Sequence, residues 1–264
     1  GTYDLLSLRY DEAYELYFST KSIDNNIVEE FYFSDEQIDK IEILIYKCCS
    51  ISNKFLMTTQ QKKINAAQLV IKKIKPGMSL GLGTGSTANE FIHILGKDRD
   101  LVKSLKFTSS SNQTIETARI YSIKCLELDE FDYLDITIDG ADEIDKNGDM
   151  IKGGGGALLR EKMLANISKE YFIIIDESKS VKTLGNFPLP IEIIPFSPKS
   201  TISQIDKVFK KHQMVLQIEI RVDSTGSNFI TDGGNFIIDC YCKKIFQSKE
   251  INAEIEKIPS VITT

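Results

Sequence analysis

The chain has 264 residues, 42% hydrophobic and 27% charged, a balance that supports a packed core and excludes a largely disordered polypeptide. No apolar run reaches the roughly 18 residues a bilayer crossing needs, and no basic start followed by an apolar block opens the chain, so neither a membrane span nor a secretory leader is expected. The net charge of −6 resides in residues 1–56, which carry 11 acidic and 5 basic side chains; the neutral remainder offers no basic field for nucleic acid.

Residues 1–56 also hold 10 of the 24 aromatic residues and no glycine after Gly1, which marks them as a separate N-terminal extension, either a partner-binding arm or a segment packed on the main domain. Within it, Ser34 to Gln37 reads as a capping box, and Ile38, Ile41, Ile45 and Cys48 follow at helical spacing, predicting a short amphipathic helix. From Met57 onward short β-like runs alternate with helical stretches, the pattern of an α/β domain around a mainly parallel sheet. The expected elements are a helix over 61–74, a strand over 79–83, a helix over 86–95 and a strand over 105–108. A helix over 112–121, strands over 124–128 and 134–139, a helix over 155–168 and a strand over 171–176 follow. After Pro188 a strand, a helix over 199–211, a strand over 215–222 and a hairpin around residues 232–235 predict a small α+β subdomain over 187–250.

Half of the 16 glycines sit in three places: Gly81, Gly83 and Gly85; Gly140; and Gly153 to Gly156. Gly81-Leu-Gly-Thr-Gly-Ser-Thr87 sits at a strand-to-helix turn, where backbone amides and the helix N-terminus favour an anion such as a phosphate; a tight turn without ligand is the plainer reading. A dinucleotide site fits poorly, because Ser86 stands where a third glycine belongs and Thr108 to Ser111 occupy the place of a ribose-binding acid. Ile138-Asp-Gly-Ala-Asp-Glu-Ile-Asp145 places four acids just past an apolar strand. They can serve acid–base or hydroxyl-binding work, hold a hard cation through Asp139, Asp142 and Asp145, or form a solvated loop. Lys152-Gly-Gly-Gly-Gly-Ala-Leu-Leu-Arg-Glu161 opens a helix with four glycines, a conformational cost that implies a tight bend.

On that helix the neighbours of Glu161 within about 60° are Ala157, Leu158, Leu164, Ala165 and Ser168. A carboxylate is thus centred on an apolar face, where burial raises its pKa toward that of a general base; an ordinary salt bridge to Arg160 or Lys162 is the alternative. With only His93 and His212 present, acid–base chemistry falls to carboxylates and lysines. Cys48, Cys49, Cys125, Cys240 and Cys242 form no C-x-x-C pair and read as reduced thiols, with chelation by Cys240 and Cys242 as the lesser alternative. Together these segments suggest proton transfer on a small phosphorylated sugar or polyol.

Four ordered motifs, Gly81 to Thr87, Asp139 to Ile144, Lys152 to Lys162 and Asp176-Glu-Ser-Lys179, resemble the signatures of the type A ribose-5-phosphate isomerases, over residues 57–264. The resemblance implies a Rossmann-like catalytic domain over 57–186, a ferredoxin-like α+β subdomain over 187–250, and a C-terminal segment over 251–264 that returns toward the first domain. Family chains continue past this last segment with a further strand, so a truncation and an open sheet edge are expected. The implied activity is cofactor-free and metal-free interconversion of ribose 5-phosphate and ribulose 5-phosphate through an enediolate, in the pentose phosphate pathway. The resemblance makes Glu161 the base, Asp139 an acid assisting ring opening, Asp142 a hydroxyl-binding acid beside it, and Lys152 the group that stabilises the oxyanion. It places substrate on Thr84, Gly85, Ser86 and Thr87, on Gly140 and Ala141, on Gly153, Gly154 and Gly155, and on Lys179 and Lys63. It further implies a cytoplasmic homodimer or homotetramer with a small-molecule substrate and no nucleic-acid or membrane partner. A related-fold sugar-phosphate deaminase or lactonase, or a non-catalytic sugar-phosphate binder, stands as the alternative.

Overall fold

The computed structural model describes the backbone of residues 6–10, 14–23, 26–33 and 40–47 and the whole of residues 58–264. The chain divides into two compact units, one of residues 1–140 and 160–180, the other of 141–159 and 181–264. Residues 141–159, which the sequence motifs join to the first domain, therefore group with the second unit. So do residues 251–264, which were expected to return toward the first.

In the first unit, strands β1 (Leu6–Tyr10), β2 (Tyr14–Ile23), β3 (Asn26–Phe33) and β4 (Lys40–Lys47) run as an antiparallel meander. The amphipathic helix expected over 38–48 is thus corrected to a strand, and its predicted cap at 34–37 lies outside the described residues. The reason lies in the residues themselves: Ile41-Glu-Ile-Leu-Ile-Tyr46 is rich in β-branched and aromatic types, and both edges of the strand find partners. Helix α1 (Thr59–Ile71) starts at a Thr58 cap whose hydroxyl accepts from Gln61 N, and residues 72–78 lead into β5 (Ser79–Leu82). Then come α2 (Ser86–Leu95), α3 (Arg99–Lys103), β6 (Lys106–Ser109), α4 (Asn112–Ile120) and β7 (Leu134–Asp139).

The strand expected over 124–128 does not form. Leu126 N donates once to Phe107 O and a 3-10 turn begins at Leu128, so one rung replaces a ladder where the chain turns acidic. Strand β10 (Ser168–Asp176) completes an eight-stranded sheet of order β1-β2-β3-β4-β10-β7-β5-β6, whose last five strands are parallel. β10 is paired on both sides, by β4 and by β7. Ala67 and Val70 of α1, Phe91 and Ile92 of α2, and Leu80, Phe107, Ile138 and Phe172 of the sheet pack in one buried cluster.

The second unit opens with a short hairpin of β8 (Glu143–Ile144) and β9 (Met150–Ile151), and the glycines that follow precede α5 (Leu158–Asn166), inside which the division falls. Its sheet contains β11 (Leu189–Ile193), β12 (Gln217–Ile220), β13 (Phe236–Tyr241) and β14 (Val261–Thr263), joined by α6 (Pro198–Lys211) and α7 (Ser248–Ile255). The order β14-β11-β13-β12 with antiparallel neighbours is the split βαββαβ arrangement of ferredoxin-like folds. α6 buries Thr201, Ile205 and Phe209 at i, i+4 and i+8, against β11 and β13.

Cys240 and Cys242 belong to this second core rather than to a chelate, and the Cys242 thiol donates to Cys240 O. Burial pushes the Cys240 thiol well above its ordinary value and that of Cys242 up to about 12. Both therefore stay protonated near neutrality. At pH 7.5 iodoacetamide is expected to leave these two unmodified in the native chain and to alkylate them in urea, read by peptide mass spectrometry; equal native and denatured labelling rates would contradict the packing.

Candidate active site

β5 pairs with β6 on one side and β7 on the other, so the sheet order reverses between β5 and β7. Open parallel sheets bind ligands beyond the carboxyl ends of the strands at this reversal. Here those ends carry Gly83 to Thr87 and Asp139.

The loop after β5 is held from beneath. Thr84 is buried and its hydroxyl meets Ser110 Oγ at 2.7 Å and Ser111 Oγ at 2.8 Å, while Thr114 Oγ1 donates to Gly83 O at 3.1 Å. The Thr84 hydroxyl thus anchors the loop. Ser110, Ser111 and Thr114 are site supports that the sequence motifs missed; the serine run at the end of β6 was their only signal. Gly85 and Ser86 are exposed and Thr87 is half-buried at the start of α2, whose N-terminal amides and dipole favour an anion. Lys63 of α1 donates to Ser86 Oγ at 2.8 Å, which brings its ammonium to the same helix start. Lys62 pairs with Glu177 of the 3-10 turn Glu177–Lys179, tying α1 to the half-buried Lys179.

Asp139 is completely buried, and its carboxylate accepts from Tyr171 Oη and from Gly140 N, both at 2.8 Å. Gly83 must be glycine, since a Cβ there would stand 2.2 Å from Asp139 Oδ1. Glu161 on α5 is 3% exposed; of its predicted face neighbours Leu158, Leu164 and Ala165 lie on α5 and are buried, while Ala157 precedes the helix and Ser168 opens β10, both buried as well.

In the second unit, Asp142 Oδ2 accepts from Gly154 N at 2.8 Å, and Asp142 N donates to Ile151 O. Residues 153–156 form a turn closed by Gly156 N donating to Gly153 O, and α5 begins only at Leu158, three residues later than the glycines suggested. A Cβ on Gly154 would lie 2.6 Å from Asp142 Oδ1 and 2.9 Å from Phe187 Cζ, so the close approach also demands glycine there. Lys152 and Ala141 are half-buried, and Gly155 is exposed. Asp145, considered as a cation ligand, accepts instead from Asn147 N and Asp149 N of its own loop. Glu143 is buried and accepts from Gly185 N and Phe187 N, each at 2.7 Å, so this acid of the motif is structural. Arg221 was not anticipated: its guanidinium donates to the carbonyls of Gly153 and Gly154.

Among the described residues no helix is long and apolar enough to cross a membrane. The family model for ribose 5-phosphate isomerase A (phosphoriboisomerase A) matches residues 106–264. The ribose-5-phosphate isomerase A of Parvibaculum lavamentivorans is 42% identical over 206 residues, covering 78% of this chain and 89% of that protein. The protein of the same name from Bradyrhizobium diazoefficiens is 41% identical over 214 residues, covering 78% and 87%. A solved ribose 5-phosphate isomerase A from Methanocaldococcus jannaschii superposes with a TM-score of 0.70 at 35% identity, covering 78% of this chain and 90% of that one. A D-ribose-5-phosphate isomerase solved with phospho-erythronic acid gives a TM-score of 0.72 at 34% identity over the same shares. The parallel sheet with its loops at the reversal, the motif-bearing segments and these relatives agree: the chain belongs to the ribose 5-phosphate isomerase A family.

Proposed function

We propose that Glu161 is the base of an aldose–ketose isomerisation in which this chain interconverts ribose 5-phosphate and ribulose 5-phosphate. From the open-chain aldehyde, the carboxylate removes the C2 proton and the electron pair moves onto O1, giving an enediolate. Protonation at O1, loss of the O2 proton and return of the proton to C1 yield the ketose, with no net electron or group transfer and no metal or cofactor required. Asp139 assists ring opening and proton movement at the oxygens, Asp142 binds hydroxyls, and Lys152 with the turn Gly153, Gly154 and Gly155 stabilises the oxyanion. The loop of Thr84, Gly85, Ser86 and Thr87, anchored through the Thr84 hydroxyl, takes the phosphate with Lys63, while Gly140, Ala141 and Lys179 contact the sugar.

What carries this reading is Glu161 itself, a carboxylate 3% exposed on a helix face whose other members are buried. Phospho-erythronic acid, held by the solved relative, adds support: it carries a phosphate at one end and a planar anion at the other, the two charges an enediolate of this substrate presents. The test is ribulose 5-phosphate formation from ribose 5-phosphate with excess chelator. Turnover that survives the chelator supports the reading, and turnover abolished by it would transfer the chemistry to a metal.

Gly83→Ala provides a second check on Asp139. The added methyl occupies the space of the carboxylate, and displacing a reacting group by about 1 Å can cost about 100-fold. A kcat loss of that order is expected; a kcat within threefold of the parent would remove Asp139 from the chemistry.

The proposal extends to a cytoplasmic homodimer or homotetramer. Cys125, Cys240 and Cys242 are free thiols, as a reducing compartment favours. Phe196, Val215, Ile230 and Phe246 of the second unit are mostly exposed apolar side chains of the kind a second copy covers. Sedimentation equilibrium is expected to give a multiple of 29.8 kDa, and a monomer at micromolar concentration would refute it.

A further inference from the structure

Arg221 follows β12 in the second unit, far in sequence from every motif residue. Its Nε donates to Asp239 Oδ2 at 2.8 Å and its Nη2 to Asp239 Oδ1 at 2.5 Å, a two-pronged pair in which the side chains are 14% and 13% exposed. Its Nη1 donates to Gly153 O at 2.9 Å and to Gly154 O at 3.2 Å. The guanidinium lies 5.9 Å from the Phe229 ring centroid. Backbone bonds anchor the residue itself, since Arg221 N donates to Ile237 O and Phe229 N donates to Arg221 O, both at 2.8 Å.

A buried ion pair is weak evidence for stability, because desolvation offsets most of the Coulomb gain. The rigid fork does give direction. In a planar trans peptide the C=O and the following N–H point opposite ways. Holding the carbonyls of Gly153 and Gly154 on one nitrogen therefore turns the N–H groups of Gly154 and Gly155 away from that nitrogen. The first is seen at its destination, donating to Asp142 Oδ2 at 2.8 Å. The second belongs to an exposed residue. With Gly154 N–H engaged by Asp142, the Gly155 amide is the donor of this turn left for an anionic oxygen.

We infer that Arg221, locked by Asp239, is a positioning residue that orients the glycine turn so that Gly154 N–H stays on Asp142 and the Gly155 amide meets the negatively charged oxygen of the substrate. This rests on the isomerase reading above. Lysine at 221 keeps the charge but cannot span Asp239 and two carbonyls at once.

The experiment uses the full chain with Arg221→Lys and, as a variant that loosens the same guanidinium without removing it, Asp239→Asn. Steady-state kinetics with ribose 5-phosphate, thermal melting and amide hydrogen exchange by mass spectrometry are read together. The expected result for Arg221→Lys is a kcat loss of about 10- to 100-fold with KM changed less than threefold. Exchange should accelerate at residues 153–156 and stay unchanged in β11, β13 and α6. Asp239→Asn should follow with a smaller loss, and decides the matter if the lysine variant does not fold. In Arg221→Ala, guanidinium ion at non-denaturing concentration should restore part of kcat. Exchange that accelerates equally across the whole second unit, or a kcat and a local exchange rate both within twofold of the parent, overturns the inference. A parent chain that turns over no ribose 5-phosphate overturns the isomerase reading instead, while the exchange at 153–156 still reports whether Arg221 holds the turn.

Discussion

Replacing Glu161 by glutamine is expected to lower kcat for ribose 5-phosphate by about 10³-fold, within the range that general acid–base catalysis contributes. The substitution keeps the volume and the planar polar end of the side chain and removes only its capacity to accept a proton. Because the residue is 3% exposed and the rest of its helix face is buried, there is no room for bulk solvent to supply an equivalent base. KM should change little, since the carboxylate acts on carbon-bound hydrogen rather than holding the phosphate. Melting should shift little, because the volume and shape of the buried side chain are kept. The measurement is kcat and KM beside a thermal melt. A glutamine variant within tenfold of the parent kcat would assign the proton transfer to another group, with Asp139 the first to examine.

Phe172→Ala is expected to be the most destabilising single truncation in the first unit. Phe172 is fully buried at the middle of β10, opposite Ile138 of β7 in the ladder, and joins α1, α2 and β5 in one apolar cluster. Lys73 also lies over its ring, 4.8 Å from the centroid. Removing an aromatic ring from such a place costs about 3 to 5 kcal/mol, comparable to the lower end of total domain stabilities. A fall of about 10 °C in melting temperature follows for a chain of this size. Calorimetry decides it: a shift under about 2 °C would mean that the site collapses without a cavity or that this cluster does not limit stability.

Local patterns carried the positions that chemistry needs. The loop at Gly81 to Thr87, the acids after β7 and the apolar setting of Glu161 were legible because each is set by residues adjacent along the chain or one helical turn apart. Partners brought in from a distance were not. Nothing near Arg221 announces carbonyls 68 and 67 positions earlier, and the partners in the hydroxyl cluster under Thr84 lie 26 to 30 positions away along the chain. The stretch over 38–48 failed for another reason. Its isoleucines satisfy helical spacing and a buried strand equally, and the deciding factor was pairing with β3 and β10, which lies outside the window. The segment over 124–128 failed the opposite way, having strand-like residues but only one rung to bond to.

The central place of β10 has a consequence for the order in which the chain can fold during synthesis. Its partners are β4, about 130 residues earlier, and β7, so the parallel sheet of the first unit lacks an inner strand until residue 176 has been made. Until then β7 has an open edge and β4 has no parallel neighbour, and contacts of such long sequence separation form slowly. A nascent chain arrested before Ser168 therefore holds β5, β6 and β7 without the strand that joins them to the N-terminal meander. Emergence of Tyr171-Phe-Ile-Ile-Ile175 is then the late, committing event of vectorial folding, and the point at which a chaperone that shields apolar segments has most to do.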